Sequence, residues 1–196
     1  MAEISAKPIK IKPEEIRIEK LGEVHLEKIK PFNSYEPELV DFLMEDALNQ
    51  QKRKISVTYL WFKRDTDEFI GYITLSPDCV KLKRIDERLA QRFRDKGINY
   101  KSLPALKIGR LCVDDTFLRK GVGTLMIQFA IGIAKEICGH AGCRFLYLDA
   151  KRNPDKSKDV IHFYKNVGFE LYKERDSKET PMYMDLWSIL SELADK

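Results

Sequence analysis

Apolar runs of two different periods predict a mixed α/β fold. Runs rich in β-branched and aromatic residues fall at 55–62, 69–75, 105–113 and 145–149, and they alternate with helical spacing at 35–50 and 122–137. One of these strands feeds through a polar turn into a glycine pair that opens the clearest helix of the chain. The expected order is β-α-β-β-α-β-α-β-α-β.

Each element has its own signal. Residues 1–14, with Pro8 and Pro13, read as an arm outside the core, and 16–21 alternates apolar and charged residues as a first strand. Leu39, Phe42, Leu43, Ala47 and Leu48 mark the first helix. A DTDE turn at 65–68 joins the next two strands into a hairpin that Pro77 closes. Ile85, Leu89 and Phe93 form the stripe of a helix over 85–96, and Arg84, Arg88 and Arg92 form a ridge beside it at i, i+4 spacing. In the helix from Val122, Leu125, Phe129, Ile133 and Ile137 recur every four residues with Met126, Ala130 and Ala134 beside them, and all are expected as core. A polar, proline-containing loop follows the 145–149 strand and leads to a helix over 158–167, with Gly168 as its C-cap. Residues 169–173 and 182–187 read as strands and 188–194 as a closing amphipathic turn.

The 196 residues fit one domain, at 15–187, between the N-terminal arm and a C-terminal tail at 188–196. No apolar run approaches a membrane span and no signal peptide opens the chain, so a cytoplasmic protein is expected. Cys79, Cys112, Cys138 and Cys143 show no CxxC pairing. Cys138, His140 and Cys143 cluster but lack a fourth ligand, so no metal is expected. The net charge of +4 is modest, yet it is concentrated: residues 81–101 hold eight basic residues against three acidic ones. Such a stretch is either a solvated face or a surface for a polyanion.

The glycine pair lies in LCVDDTFLRKGVGT, residues 111–124. N–H groups at a helix N-terminus lack intrahelical partners and carry the positive end of the dipole, and glycine lets an anion approach them. A P-loop would need Lys and then Ser or Thr after the last glycine, and Gly123 is followed by Thr124. A dinucleotide fingerprint would need a third glycine where Met126 stands. What fits is the pyrophosphate loop Gln/Arg-x-x-Gly-x-Gly/Ala, over Leu118-Arg119-Lys120-Gly121-Val122-Gly123, with Leu118 departing from the first slot. A strand-to-helix turn without a ligand is the alternative reading.

That loop, followed one helix and one strand later by FYKNVGF at 163–169, resembles the GNAT N-acetyltransferases. GYITLS at 71–76, PALKIGRLCVDDTFLRKGVGTLM at 104–126 and LYLDA at 146–150 are more closely similar to the GNAT toxins of toxin–antitoxin systems. The loop at 151–159 and the N-terminal arm are departures from them. The resemblance implies a GNAT fold: a mostly antiparallel sheet of about six or seven strands flanked by helices, splayed at the central strand 105–113. It also implies acetyl-CoA as co-substrate. The partners it suggests are tRNA, a small antitoxin and a second copy of the chain.

By the same resemblance the main chain of Leu111, Cys112 and Val113 pairs with the pantetheine arm. Leu118, Arg119, Lys120, Gly121, Val122, Gly123 and Thr124 seat the pyrophosphate, and Asn153 touches the cofactor. Tyr164 is the general acid, since a phenol of pKa near 10 is protonated at neutral pH and can hand its proton to a departing thiolate. Without the family, Tyr164 reads as a packed core tyrosine. No general base stands out among Glu68, Asp114 and Asp115. Cys112 reads as a wall residue. Three functions follow: an acetyltransferase for aminoacyl-tRNA gripped by Arg84, Arg88 and Arg92; one for a protein amine or small polyamine; and a non-catalytic acyl-CoA-binding module.

Overall fold

The computed structural model describes residues 10–153, 155, 159–172 and 179–187. Seven strands form one sheet in the order β1-β2-β3-β4-β5-β7-β6. They are β1 (Ile16–Lys20), β2 (Val57–Lys63), β3 (Phe69–Lys81), β4 (Ser102–Val113), β5 (Phe145–Lys151), β6 (Glu170–Leu171) and β7 (Glu179–Asp185). β4 and β5 are parallel, whereas β1–β2, β5–β7 and β6–β7 are antiparallel. The parallel ladder pairs Ala105 with Phe145 through Ile108 with Leu148, and β4 then continues through Gly109 to Val113. No described helix is long and apolar enough to cross a membrane.

The chain divides into two compact units, Met1–Thr74 with Arg110–Met126, and Leu75–Gly109 with Ile127–Lys196. In the first, α1 (Leu26–Ile29) follows β1, a segment the apolar spacing did not mark. Pro37 then opens a run made of α2 (Pro37–Asp41), a π-helical turn (Phe42–Asp46) and α3 (Ala47–Lys52), close to the expected 35–50. Its buried face, Phe42, Leu43 and Ala47, joins Leu60, Phe62, Phe69 and Tyr72 in one core. Each large apolar side chain removed from water there contributes roughly 1.5–3 kcal/mol. The Tyr72 hydroxyl donates to the Leu39 carbonyl at 2.6 Å, and burial pushes its pKa up. The Thr58 and Thr74 hydroxyls satisfy each other at 2.8 Å. The β2–β3 hairpin closes through Lys63 N–H to Glu68 O at 2.8 Å, as the DTDE turn requires.

In the second unit, Phe145 is fully buried and meets Phe93 and Tyr183 edge-on at 6.1 and 5.8 Å. Helix α4 (Glu87–Asp95) covers this core with Ala90 and Phe93. Its start is fixed by the Asp86 carboxylate, which accepts from the N–H groups of Arg88 and Leu89 at 2.9 and 3.4 Å. Two expectations are corrected here. β3 runs through Pro77 to Lys81, because Pro77–Cys79 is exposed and a missing N–H ends a strand only where a neighbour needs it. β7 ends at Asp185, and Leu186 and Trp187 turn away as a short helical start. β6 is shorter than 169–173, and the expected turn at 188–194 lies outside the described residues.

Candidate active site

The turn after β4 is fastened by side chains the sequence offered as catalytic bases. The buried Asp114 carboxylate accepts from Thr116 N–H at 2.9 Å, Thr116 Oγ1 at 2.7 Å and Asn33 N–H at 3.0 Å. Asp115 accepts from Tyr35 N–H at 3.2 Å. Glu68 is exposed in the hairpin turn. These first two carboxylates are thereby occupied in holding the turn to the 33–35 segment.

Beyond the one-turn helix Asp115–Phe117, the backbone takes left-handed conformations on both sides of Lys120, with φ of 62° at Arg119 and 87° at Gly121. A Cβ placed on Gly121 would meet nothing within 4 Å, so the space over the loop is open. Helix α5 (Val122–Cys138) starts there, close to the expected 122–137. Leu125 N–H bonds to Gly121 O at 3.2 Å as the first helical turn closes. The N–H groups of Val122, Gly123 and Thr124 therefore precede any intrahelical acceptor, which is the arrangement an anion occupies. Leu118 is exposed, so its side chain takes no part in the loop's internal bonding. The Lys120 ammonium rests on the Phe117 ring, 4.7 Å from its centroid. From the arm, Ile11 N–H donates to the Lys120 carbonyl at 3.0 Å.

Leu111, Cys112 and Val113 form the end of β4, and β3 approaches them closely at Gly71. A Cβ there would stand 2.5 Å from the Cys112 carbonyl oxygen and 3.0 Å from Val113 Cα, and Gly71 has φ of +154°. Only glycine admits that approach. Glycine inside a strand was the signal for this role. Burial pushes the Cys112 thiol up to about 12, which suits a wall residue and not a nucleophile.

Tyr164 lies in α6 (Ile161–Asn166), shorter than the expected 158–167 since Asp159, Val160 and Val167 lie outside the helix, and is buried against the rings of Phe163 and Phe169 at 5.1 and 5.6 Å. The helix end is a Schellman motif: Phe169 N–H returns to Tyr164 O at 3.0 Å and Gly168 N–H to Lys165 O at 3.1 Å. Gly168 has φ of +99°, as its C-cap reading requires. Asn153 turns its Oδ1 to Asp155 N–H at 2.9 Å.

The arginine ridge is only partly formed. Arg84 ends a separate one-turn helix (Leu82–Arg84), and the extended Ile85, with ψ of 175°, breaks the i, i+4 line before α4 begins. Arg88 and Arg92 share the exposed face of α4. Among the described residues neither has a carboxylate partner, whereas Arg94 pairs with Glu87. In the same unit the carboxylate of Asp149 accepts from Lys107 at 2.8 Å and from the Tyr147 hydroxyl at 2.6 Å, a polar cluster the sequence did not reveal. Burial, and then that bond, push the Tyr147 pKa up. The Cys138 thiol donates to the Cys143 carbonyl at 2.9 Å.

The family model of the acetyltransferase (GNAT) family matches residues 25–169. Among solved structures the fold is similar to KacT carrying a tyrosine-to-phenylalanine substitution, with TM-score 0.75 and 23% identity over 91% of this chain and 99% of that one. It is similar to AtaT complexed with acetyl-methionyl-tRNAfMet, with TM-score 0.74 and 21% identity over 92% and 99% of the two chains. AtaTR bound with AcCoA gives TM-score 0.70 and 22% identity over 93% and 99%. The matched segment contains both the glycine loop after β4 and the Tyr164 helix. The chain belongs to the GNAT family of acetyltransferases, and acetyl-CoA is its acyl donor.

Proposed function

We propose that this acetyltransferase delivers the acetyl group to the amine of aminoacyl-tRNA and so blocks translation. The observation that carries the reading is the pair Arg88 and Arg92, two cations of a basic segment that no described carboxylate neutralises. A polyanion supplies what they lack. Two of the similar structures add support: one is AtaT with an acetylated tRNA, and another is AtaT bound to the C-terminus of the antitoxin AtaR. A small antitoxin is accordingly the partner we expect, and the cytoplasm, where charged tRNA is found, the place of action.

The chemistry needs a held thioester, an unprotonated amine and a proton for the leaving group. The segment Leu118–Thr124 holds the pyrophosphate through the N–H groups of Val122, Gly123 and Thr124 above all, since those of Leu118 and Lys120 are spent within the turn, and Arg119 and Lys120 add charge. The main chain of Leu111, Cys112 and Val113 aligns the thioester arm; the end of the β4–β5 ladder at Ile108 supports this. The amine nitrogen attacks the thioester carbonyl and forms the C–N bond, the C–S bond breaks, Tyr164 gives its phenolic proton to the thiolate, and the proton shed by the acylated nitrogen passes to water, from which the phenol is restored. The α-amine of an aminoacyl ester has a lowered pKa, so a dedicated base is not required, and Asp114 and Asp115 remain structural. Asn153 contributes to holding the donor.

Incubation of the protein with labelled acetyl-CoA and a cell extract tests the acceptor. Label should enter RNA and be released by mild base with the aminoacyl ester. Label in protein or in small polyamines would replace this acceptor with those amines, and no transfer to any acceptor would leave a donor-binding module.

A further inference from the structure

Two of the free cysteines meet in the second unit. Cys138 is the last residue of α5 and is exposed, whereas Cys143 is buried just before β5. The Cys138 sulfur lies 2.9 Å from the Cys143 carbonyl oxygen, and the two thiols also interact side chain to side chain.

Main-chain bonds hold the turn between them from both ends. The N–H groups of His140 and Ala141 return to the Ile137 carbonyl at 2.9 and 2.7 Å. On the far side Arg144 N–H donates to the Pro104 carbonyl at 2.8 Å, and the Cys143 thiol donates to the Phe145 carbonyl at 3.7 Å. The backbone therefore brings the two sulfurs together.

Two neighbouring thiols can share a metal or give up two electrons. A tetrahedral metal centre needs further ligands, and among the described residues no three His, Cys, Asp or Glu side chains gather to hold one. His140, close in sequence, is exposed. Oxidation needs only the two sulfurs and an oxidant that reaches one of them. Cys138 offers that access. Burial pushes the Cys143 thiol up to about 11, so it is protonated at neutral pH and is the second to react.

We propose that Cys138 and Cys143 form a site of reversible oxidation, at which a peroxide closes a disulfide that braces the turn between α5 and β5. The Cys138 sulfur attacks one peroxide oxygen and the O–O bond breaks, giving a sulfenic acid and, from hydrogen peroxide, one water. The Cys143 sulfur then attacks the Cys138 sulfur, the S–O bond breaks, and the hydroxyl leaves with the Cys143 proton as a second water. Each sulfur has lost one electron and the peroxide has taken both. A dithiol reductant reverses the step by exchange. The negative end of the α5 dipole holds back the Cys138 thiolate, so the site answers to sustained oxidant and not to a brief pulse. Neither cysteine belongs to the donor site described above, so the crosslink bears on stability.

The test raises hydrogen peroxide on the full chain until the exposed Cys79, an internal gauge of the oxidant, is oxidised. Remaining thiols are alkylated, and trypsin without reductant releases the peptide 136–144, which carries both cysteines. That peptide should bear no alkyl group, weigh two hydrogens less than the dithiol, and recover both thiols in dithiothreitol. The oxidised chain should melt roughly 4–8 °C above the reduced one. In Cys143→Ser, Cys138 should instead pass on to its sulfinic acid, and in Cys138→Ser, Cys143 should stay reduced. Two alkylated thiols in 136–144 beside an oxidised Cys79 would overturn the proposal. So would oxygen added to Cys138 in the unaltered chain without loss of the two hydrogens, or a crosslink from either cysteine to Cys79 or to a second chain. Oxidation of Cys143 in Cys138→Ser would remove the proposed point of entry, and an unchanged melting temperature with the disulfide closed would remove the brace.

Discussion

In the glycine turn the parts open to a ligand are main chain: left-handed φ at Arg119 and Gly121 and the first N–H groups of α5, beside a Leu118 whose side chain is exposed and whose N–H is spent on the Asp115 carbonyl. In a cleft beside α4 the lining is of side chains instead, the Arg88 and Arg92 guanidiniums among the carboxylates of Asp86, Glu170 and Asp185, with Arg144 5.4 Å from the Trp187 ring. Backbone recognition leaves its trace in glycine positions and tolerates change elsewhere. Side-chain recognition leaves residues of the right type, scattered among elements far apart in the chain. The two regions should therefore answer differently to substitution.

The largest effect is expected where one side chain carries a chemical step. Tyr164→Phe should lower kcat by about 100-fold or more while acetyl-CoA affinity is kept, because the loss is of a proton donor and not of a contact. An unchanged rate in stopped assays of free thiol would remove Tyr164 as the acid. Next is Gly71→Ala. Its methyl must displace the Cys112 carbonyl from 2.5 Å, and urea unfolding should show a loss of about 3 kcal/mol. A variant as stable as the parent would mean that β3 can back away from β4.

Gly121→Ala sharpens the comparison. Nothing obstructs the new methyl, but φ of 87° costs an alanine about 1 kcal/mol, so acetyl-CoA affinity should fall roughly five-fold. Leu118→Gln, which restores the family's residue in the first slot, should shift that affinity by less than about two-fold if, as proposed, the phosphates meet N–H groups. A large gain from glutamine would show that the loop does use a side chain there. Calorimetric titration with acetyl-CoA decides both.

The fold was legible because its signals are periodic and local. The period of α5, the DTDE hairpin and the Gly168 cap each sit within a few residues and formed as read, but the buried face of α5 is Val122, Met126, Ile127, Ala130 and Ala134, while Leu125, Phe129, Ile133 and Ile137 are only half-buried. The boundaries that moved did so for tertiary reasons. Pro77 continues a strand since its stretch is exposed, and Ile85 interrupts the arginine ridge since Asp86 caps the helix after it. In the site, the glycines and the tyrosine helix were readable from motif spacing. The Asp114 bonds to Asn33 and Thr116 were not, because nothing in a lone aspartate separates a base from a clamp. Arg144 and Trp187 lay further beyond reach: β4 and α5 separate Arg144 from Phe93 in the chain, and β5, α6, β6 and β7 separate it from Trp187.

The bond from Ile11 N–H to the Lys120 carbonyl makes one amide of the arm a clock for the loop. Such a proton exchanges with solvent only when its bond opens, at a frequency set by the local opening free energy. A donor that stiffens the loop will slow deuterium uptake at residue 11, an amide with no phosphate of its own to contact. Mass-spectrometric exchange on the N-terminal peptide thus reports occupancy of the proposed pyrophosphate seat from outside it, and a tag that pulls the arm away would be felt as a softer seat.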